Sequence, residues 1–130
     1  MKVLLSIKPE YAEKILLGIK KYEFRKSLFK SPYVKKVIIY ASKPVKKVIG
    51  EFEIENILSI ELSKLWNITM NFSGINKEFY DNYFAGKDIG HAIKIKNPTR
   101  YSNYLDLDFF DIKQAPQSFV YIKDSQHRRV

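Results

Sequence analysis

Two spacings of apolar residues succeed each other along the chain. Residues 3–8 (VLLSIK) are a short apolar run ahead of Pro9. This predicts a buried strand and then a helix, because proline is tolerated at a first helical position. Tyr11, Ala12, Ile15 and Leu16 form one stripe at helical spacing, and Gly18 follows. The helix is therefore expected over 9–17, closed by a glycine just past its end. Residues 20–26 (KKYEFRK) alternate, with Tyr22 and Phe24 on one side and Lys21, Glu23 and Arg25 on the other, the pattern of a half-buried strand. Further strands are expected over 36–42 (KVIIYAS), ended by Lys43 and Pro44, and over 47–58 (KVIGEFEIENIL). In the latter, Val48, Phe52 and Ile54 share one face and Glu51, Glu53 and Glu55 the other. Gly50 marks a bulge or bend of the kind found where a sheet closes into a barrel.

The period then changes. ELSKLW (61–66) reads as a short helix, and Asn76 is placed to cap a second over 77–85. Phe79, Tyr80, Tyr83 and Phe84 give that helix an aromatic face. Such a stripe resembles a base-stacking platform, but helical spacing favours core packing. Strand pattern returns at 90–97, with His91, Ile93 and Ile95 on one face. Residues 98–116 read as a long connection, 118–122 (SFVYI) as the last strand, and 124–130 as a frayed, solvated tail. The order β-α-β-β-β-α-α-β-β predicts an α+β fold, a small, partly open β-barrel decorated with helices. Residues 1–123 are expected to form a single domain, since 130 residues suit one core.

Composition narrows the function classes. Hydrophobic residues make up 45% and aromatics 15% of the chain, enough for a packed core. The absence of cysteine excludes a disulfide framework, a thiolate metal site and a thiol nucleophile together. Two histidines argue against a His-rich metal site. No apolar run approaches the roughly 20 residues needed to span a bilayer, and the five-residue apolar stretch after Lys2 is too short for a signal peptide. A soluble, cytoplasmic protein is expected, with no membrane partner, no cofactor and no metal.

Charge is the most informative bulk quantity. The net charge is +9 and the pI about 9.6. Residues 1–50 carry +10 of it, with thirteen Lys/Arg against three Glu, while residues 51–130 carry −1. A basic balance concentrated in one part of the chain is the footprint of a polyanion partner. The alternative is a lysine-rich solvated surface.

Candidate chemistry centres on Gly18-Ile19-Lys20-Lys21-Tyr22-Glu23-Phe24-Arg25. Glu23 and Arg25 lie two apart on one strand face, close enough to pair. A carboxylate that fixes an arginine leaves a rigid fork for phosphate or a base edge. Lys20 sits at a turn, where a long cation reaches outward and contributes little to a core. It would act as a general acid or base only if burial lowered its pKa. An ordinary solvated Lys-Glu-Arg face is the competing reading. His91 reads as a satisfied, half-buried histidine. The row Glu51, Glu53 and Glu55 reads as a solvated face, because a hard cation needs ligands from several directions.

The spacing G-x-K-x-x-E-x-R, filled by Gly18, Lys20, Glu23 and Arg25, resembles the signature of the ASCH domain, a member of the PUA-like superfamily. The preceding LLSIKPEYAEKILLG, the stretch Tyr40–Pro44 with the Gly50 strand after it, and the closing PQSFVYI are similar to that family's blocks in the same order. The likeness spans about residues 2–123. It extends to members described as predicted transcriptional regulators or RNA-binding proteins. It implies a barrel whose cleft is lined by the motif and binds RNA, a nucleotide or a modified nucleoside. Lys20 and Arg25 would contact phosphate or a base carbonyl, Glu23 would orient Arg25 or accept from a base amino group, and Lys8, Tyr40, Ser42 and Lys43 would form the wall. Some relatives are ribonucleases. Others are amidohydrolases that deacetylate acetylated cytidine, with a threonine where this chain has Glu23, so their hydroxyl is missing here. A metal-independent hydrolase, either a ribonuclease or that amidohydrolase, would use Lys20 and Glu23. A regulatory module that only inherits the fold is the third reading.

Overall fold

The computed structural model describes residues 1–122. The 124–130 tail expected above lies outside the described residues. Six strands and three helices follow in the order β1 (Lys2–Ile7), α1 (Pro9–Leu16), β2 (Tyr22–Arg25), β3 (Lys36–Ala41), β4 (Lys47–Glu61), α2 (Leu62–Thr69), α3 (Lys77–Tyr83), β5 (Ile89–Leu105) and β6 (Phe119–Ile122). The strands make one mixed sheet in the order β2-β5-β4-β3-β1-β6. β1 and β3 run parallel, and the other neighbours are antiparallel. The fold is mixed α and β with a partly open barrel, as the pattern predicted. The edge strands β2 and β6 do not pair with each other. The side chain of Arg25 spans that opening instead, donating from Nη2 to the Ser6 carbonyl at the end of β1 (3.0 Å).

Three apolar clusters hold the layers. One joins Val3, Leu5, Ile39, Ile49 and Phe52 of the sheet to Ala12 and Ile15 of α1. A second joins Leu4, Ile38, Tyr40 and Val48 to Phe110 on the other face. The third sets Tyr22, Phe24 and Ala92 against Leu65, Tyr80 and Phe84 of the α2–α3 layer. Val48 therefore does not share a face with Phe52. The β3–β4 register shifts between Ile39 and Tyr40, opposite the Val48–Gly50 stretch, and one extra residue exchanges the faces. Gly50 sits at this bulge because a Cβ there would lie 2.5 Å from the Thr99 carbonyl.

The expected connection over 98–116 begins as strand, its first eight residues belonging to β5. β5 continues through Pro98 to Leu105 because the fifteen-residue β4 offers a long ladder. Register shifts and a left-handed Asn97 (φ 51) absorb the proline. A short 3-10 turn at Leu107–Phe110 follows. The acidic row of β4 is not simply solvated. Glu51 accepts from Lys36 (2.7 Å) and the Tyr101 hydroxyl (2.8 Å), Glu53 from Asn97 (2.9 Å), and Glu55 from Lys94 (2.9 Å). His91 is half-buried with Nδ1 2.7 Å from Ser59 Oγ. No helix among the described residues is long and apolar enough to cross a membrane.

Candidate functional site

Gly18 adopts φ +80 past the end of α1, with nothing within 4 Å of a Cβ built there. Its backbone N–H and those of Ile19 and Lys20 close the helix end on Ile15 and Lys14 carbonyls. A residue with a Cβ pays strain in this conformation, so glycine makes the sharp reversal into β2. The reversal carries Lys20 under the α1 end rather than outward. Lys20 is 2% exposed, which corrects the reading of a surface cation at a turn. Its Nζ donates to the Ser73 carbonyl (2.5 Å) and lies 5.0 Å from the Phe24 ring centre and 5.4 Å from that of Tyr11. Burial pulls its pKa from the ordinary 10.5 down to about 8, partly opposed by Glu23. The aliphatic stem packs on Gly74, where any Cβ would stand 2.6 Å from Lys20 Cγ.

β2 is also buried on both faces, not half-solvated. Tyr22 and Phe24 enter the third cluster, while Glu23 and Arg25 turn to the opposite face, as strand alternation demands. Glu23 Oε2 accepts from Arg25 Nη2 at 2.9 Å. Arg25 Nη1 stands 3.5 Å from Ser118 Oγ. Among the described residues, Arg25 Nε is buried without a hydrogen-bond partner.

These groups form part of the wall of a cavity of about 1130 Å³. All seven residues named from the sequence, Lys8, Lys20, Glu23, Arg25, Tyr40, Ser42 and Lys43, line it. Lys8 and Lys43 stand exposed at its rim, Ser42 is half-buried and Tyr40 is buried. Sequence reasoning missed other lining groups. Phe79 and Tyr83 of α3 face the cavity, whereas Tyr80 and Phe84 of the same aromatic stripe are core. Residues 113–118 close one side, held by Ser6 Oγ donating to the Pro116 carbonyl (2.7 Å). Lys26, Lys46 and Lys113 add cations, giving, among the described residues, seven basic side chains in the wall against one acid, Glu23. Six of those seven come from the first fifty residues. These six are fewer than half of the thirteen Lys/Arg of that segment, so most of the N-terminal excess of charge lies outside the cavity. Chemically, the site offers a concave, cation-rich surface with aromatic walls, a paired arginine on its floor and one buried amine of lowered pKa.

Comparison with known proteins agrees with the motif. The chain is 28% identical over 129 residues to an ASCH domain-containing ribonuclease of Zymomonas mobilis, covering 97% of this chain and 87% of that protein. A crystal structure of ASCH from Zymomonas mobilis superposes with a TM-score of 0.87 at 27% identity, covering 96% of this chain and 90% of that one. The chain is also 31% identical over 121 residues to the large ribosomal subunit protein uL22 of Ureaplasma parvum, covering 93% of this chain. It spans only 39% of that protein's length. The family model of the ASCH domain matches residues 5–99, which hold Gly18, Lys20, Glu23 and Arg25, and the chain belongs to the ASCH domain family.

Proposed function

We propose that this domain binds RNA in the cation-rich cavity. The observation that carries this reading is the balance of its wall, seven cations against one acid among the described residues, in a concavity of about 1130 Å³. A volume of that size lies just above the roughly 300–1,000 Å³ of pockets that take drug-sized ligands, and accepts a nucleotide with its flanking phosphates. Arg25 lines the cavity with its guanidinium fixed by Glu23, which favours an acceptor-rich ligand there. The ribonuclease relative supports RNA over other polyanions. The test is RNA affinity against salt. Single-stranded RNA should bind with a log–log slope of about −0.7 per phosphate contacted. Binding that ignores salt would remove the reading.

A second reading adds hydrolysis, favoured by Lys20. An amine with a pKa near 8 exchanges protons close to neutral pH. In that reading the neutral Lys20 Nζ takes the proton of a ribose 2′-hydroxyl as its oxygen attacks the adjacent phosphorus. The bond to the 5′-oxygen breaks, and that oxygen takes a proton from water. Cleavage should persist in EDTA and rise with pH toward about 8. It should be lost in Lys20→Met with little change in affinity. Affinity without any product would leave the domain a binder.

A further inference from the structure

α3 presents two aromatic pairs one residue out of phase. Tyr80 and Phe84 are buried. Phe79 and Tyr83, one helical turn apart, are half-buried and line the cavity. Their rings are nearly parallel, 9° between planes with centres 6.3 Å apart. Each is held by an edge-on neighbour, Phe79 by Tyr11 (5.4 Å), which also lines the cavity, and Tyr83 by the buried Phe84 (4.9 Å). The Tyr83 hydroxyl is fixed as well, donating to the Phe24 carbonyl and accepting from the Lys26 N–H, both at 3.3 Å. The result is a rigid pair of nearly parallel rings in the cavity wall. A lysine covers each ring: Lys8 Nζ lies 5.5 Å from the Phe79 centre and Lys26 Nζ 4.9 Å from that of Tyr83. Both lysines are exposed and on flexible stems, so the covers can swing away.

We propose that Phe79 and Tyr83 form a stacking wall for unpaired nucleobases, with Lys8 and Lys26 moving from the rings onto the flanking phosphates as the bases enter. This rests on the RNA-binding reading above and deepens it. An aromatic face stacks on any base, while a base locked in a duplex cannot turn its face to a protein ring. The wall therefore selects strands with exposed bases rather than a particular sequence. Cations parked on ring faces give up a modest attraction and gain charge-assisted contacts to phosphate.

The test compares two short, cleavage-resistant 2′-fluoro oligonucleotides of equal length and phosphate number. One carries bases throughout, and the other carries abasic sugars at its central positions. The parent protein should prefer the base-bearing strand by about 5- to 150-fold, the range for one stacked base. Phe79→Leu should bring the two affinities together while retaining the salt slope, and Phe79→Trp should keep the preference. Tyr83→Leu provides a second route, with circular dichroism confirming the fold of each variant. Should Phe79→Leu not fold, the Phe79→Trp and Tyr83→Leu pair carries the same comparison. Equal parent affinity for both strands would overturn the stacking wall and leave the RNA-binding cavity intact. A preference that survives both leucine variants would place the stacking elsewhere and also overturn it. No affinity for either strand would remove the RNA-binding reading itself, and the wall with it.

Discussion

Arg25 Nη2 stands 2.9 Å from Glu23 Oε2, and the two side chains, two positions apart on the edge strand β2, are each nine-tenths buried. Neighbouring same-face residues on a strand pair readily. Here the pair also bridges the open edge of the barrel, because Arg25 reaches the Ser6 carbonyl and stands near Ser118. It is a structural strut and a cavity floor at once.

Removing one member of this pair should therefore destabilise the fold more than a surface salt bridge would. Glu23→Ala leaves the guanidinium buried and unpaired, and the expected cost is about 3–5 kcal/mol. Urea unfolding of Glu23→Ala beside a double Glu23→Met, Arg25→Met variant measures it. The double variant should recover most of the loss. A single-variant cost below about 1 kcal/mol would mean the pair is solvated in solution.

Lys20 should give stability a rising pH dependence. Its folded pKa lies at about 8 against an ordinary 10.5. Between those values the unfolded chain binds more protons than the folded one, so stability increases with pH across the window. The difference corresponds to about 3 kcal/mol over the full window. Only part of it is gained below about pH 10, where the tyrosines begin to ionise. Lys20→Met should show no such rise in urea unfolding. A parent profile flat from about pH 7.5 to about pH 9.5 would show that the amine keeps an ordinary pKa.

The two left-handed glycines near the site should differ in tolerance. Gly18→Ala meets only the conformational penalty, roughly 1–2 kcal/mol, since nothing lies within 4 Å of its Cβ. Gly74→Ala meets the same penalty at φ +70 and also strikes the Lys20 stem. It should lose more stability in thermal unfolding. Equal losses would show that the Lys20 stem moves aside freely.

The rim cations should act on RNA affinity alone. Lys43 and Lys46 are exposed and line the cavity. Lys43→Ala and Lys46→Ala should each reduce the salt slope of single-stranded RNA binding by about 0.7, with stability changed by less than about 0.5 kcal/mol. An unchanged slope in both would place the phosphates away from this rim.

The sequence by itself determined the elements and much of the site's composition. Period-two and period-3.6 runs located most of the strands and all three helices within a few residues. Gly18, Lys20, Glu23 and Arg25 were legible as one constellation because a turn glycine and strand alternation act locally. The bulge at Gly50 was legible for the same reason. Tertiary structure decided what local spacing cannot carry. Alternation separates Glu23 from Phe24 but does not say whether the second face meets water, and here it meets the end of β1 and residues 113–118. Lys20 read as a surface cation because nothing local shows that Ser73 and Gly74, more than fifty residues away, cover it. The aromatic stripe of α3 read as core because helical spacing is the same for both of its pairs. The 100° rotation between adjacent helix positions turns one pair inward and the other to the cavity, and only the packing of α3 against β2 and α1 sets which pair is which.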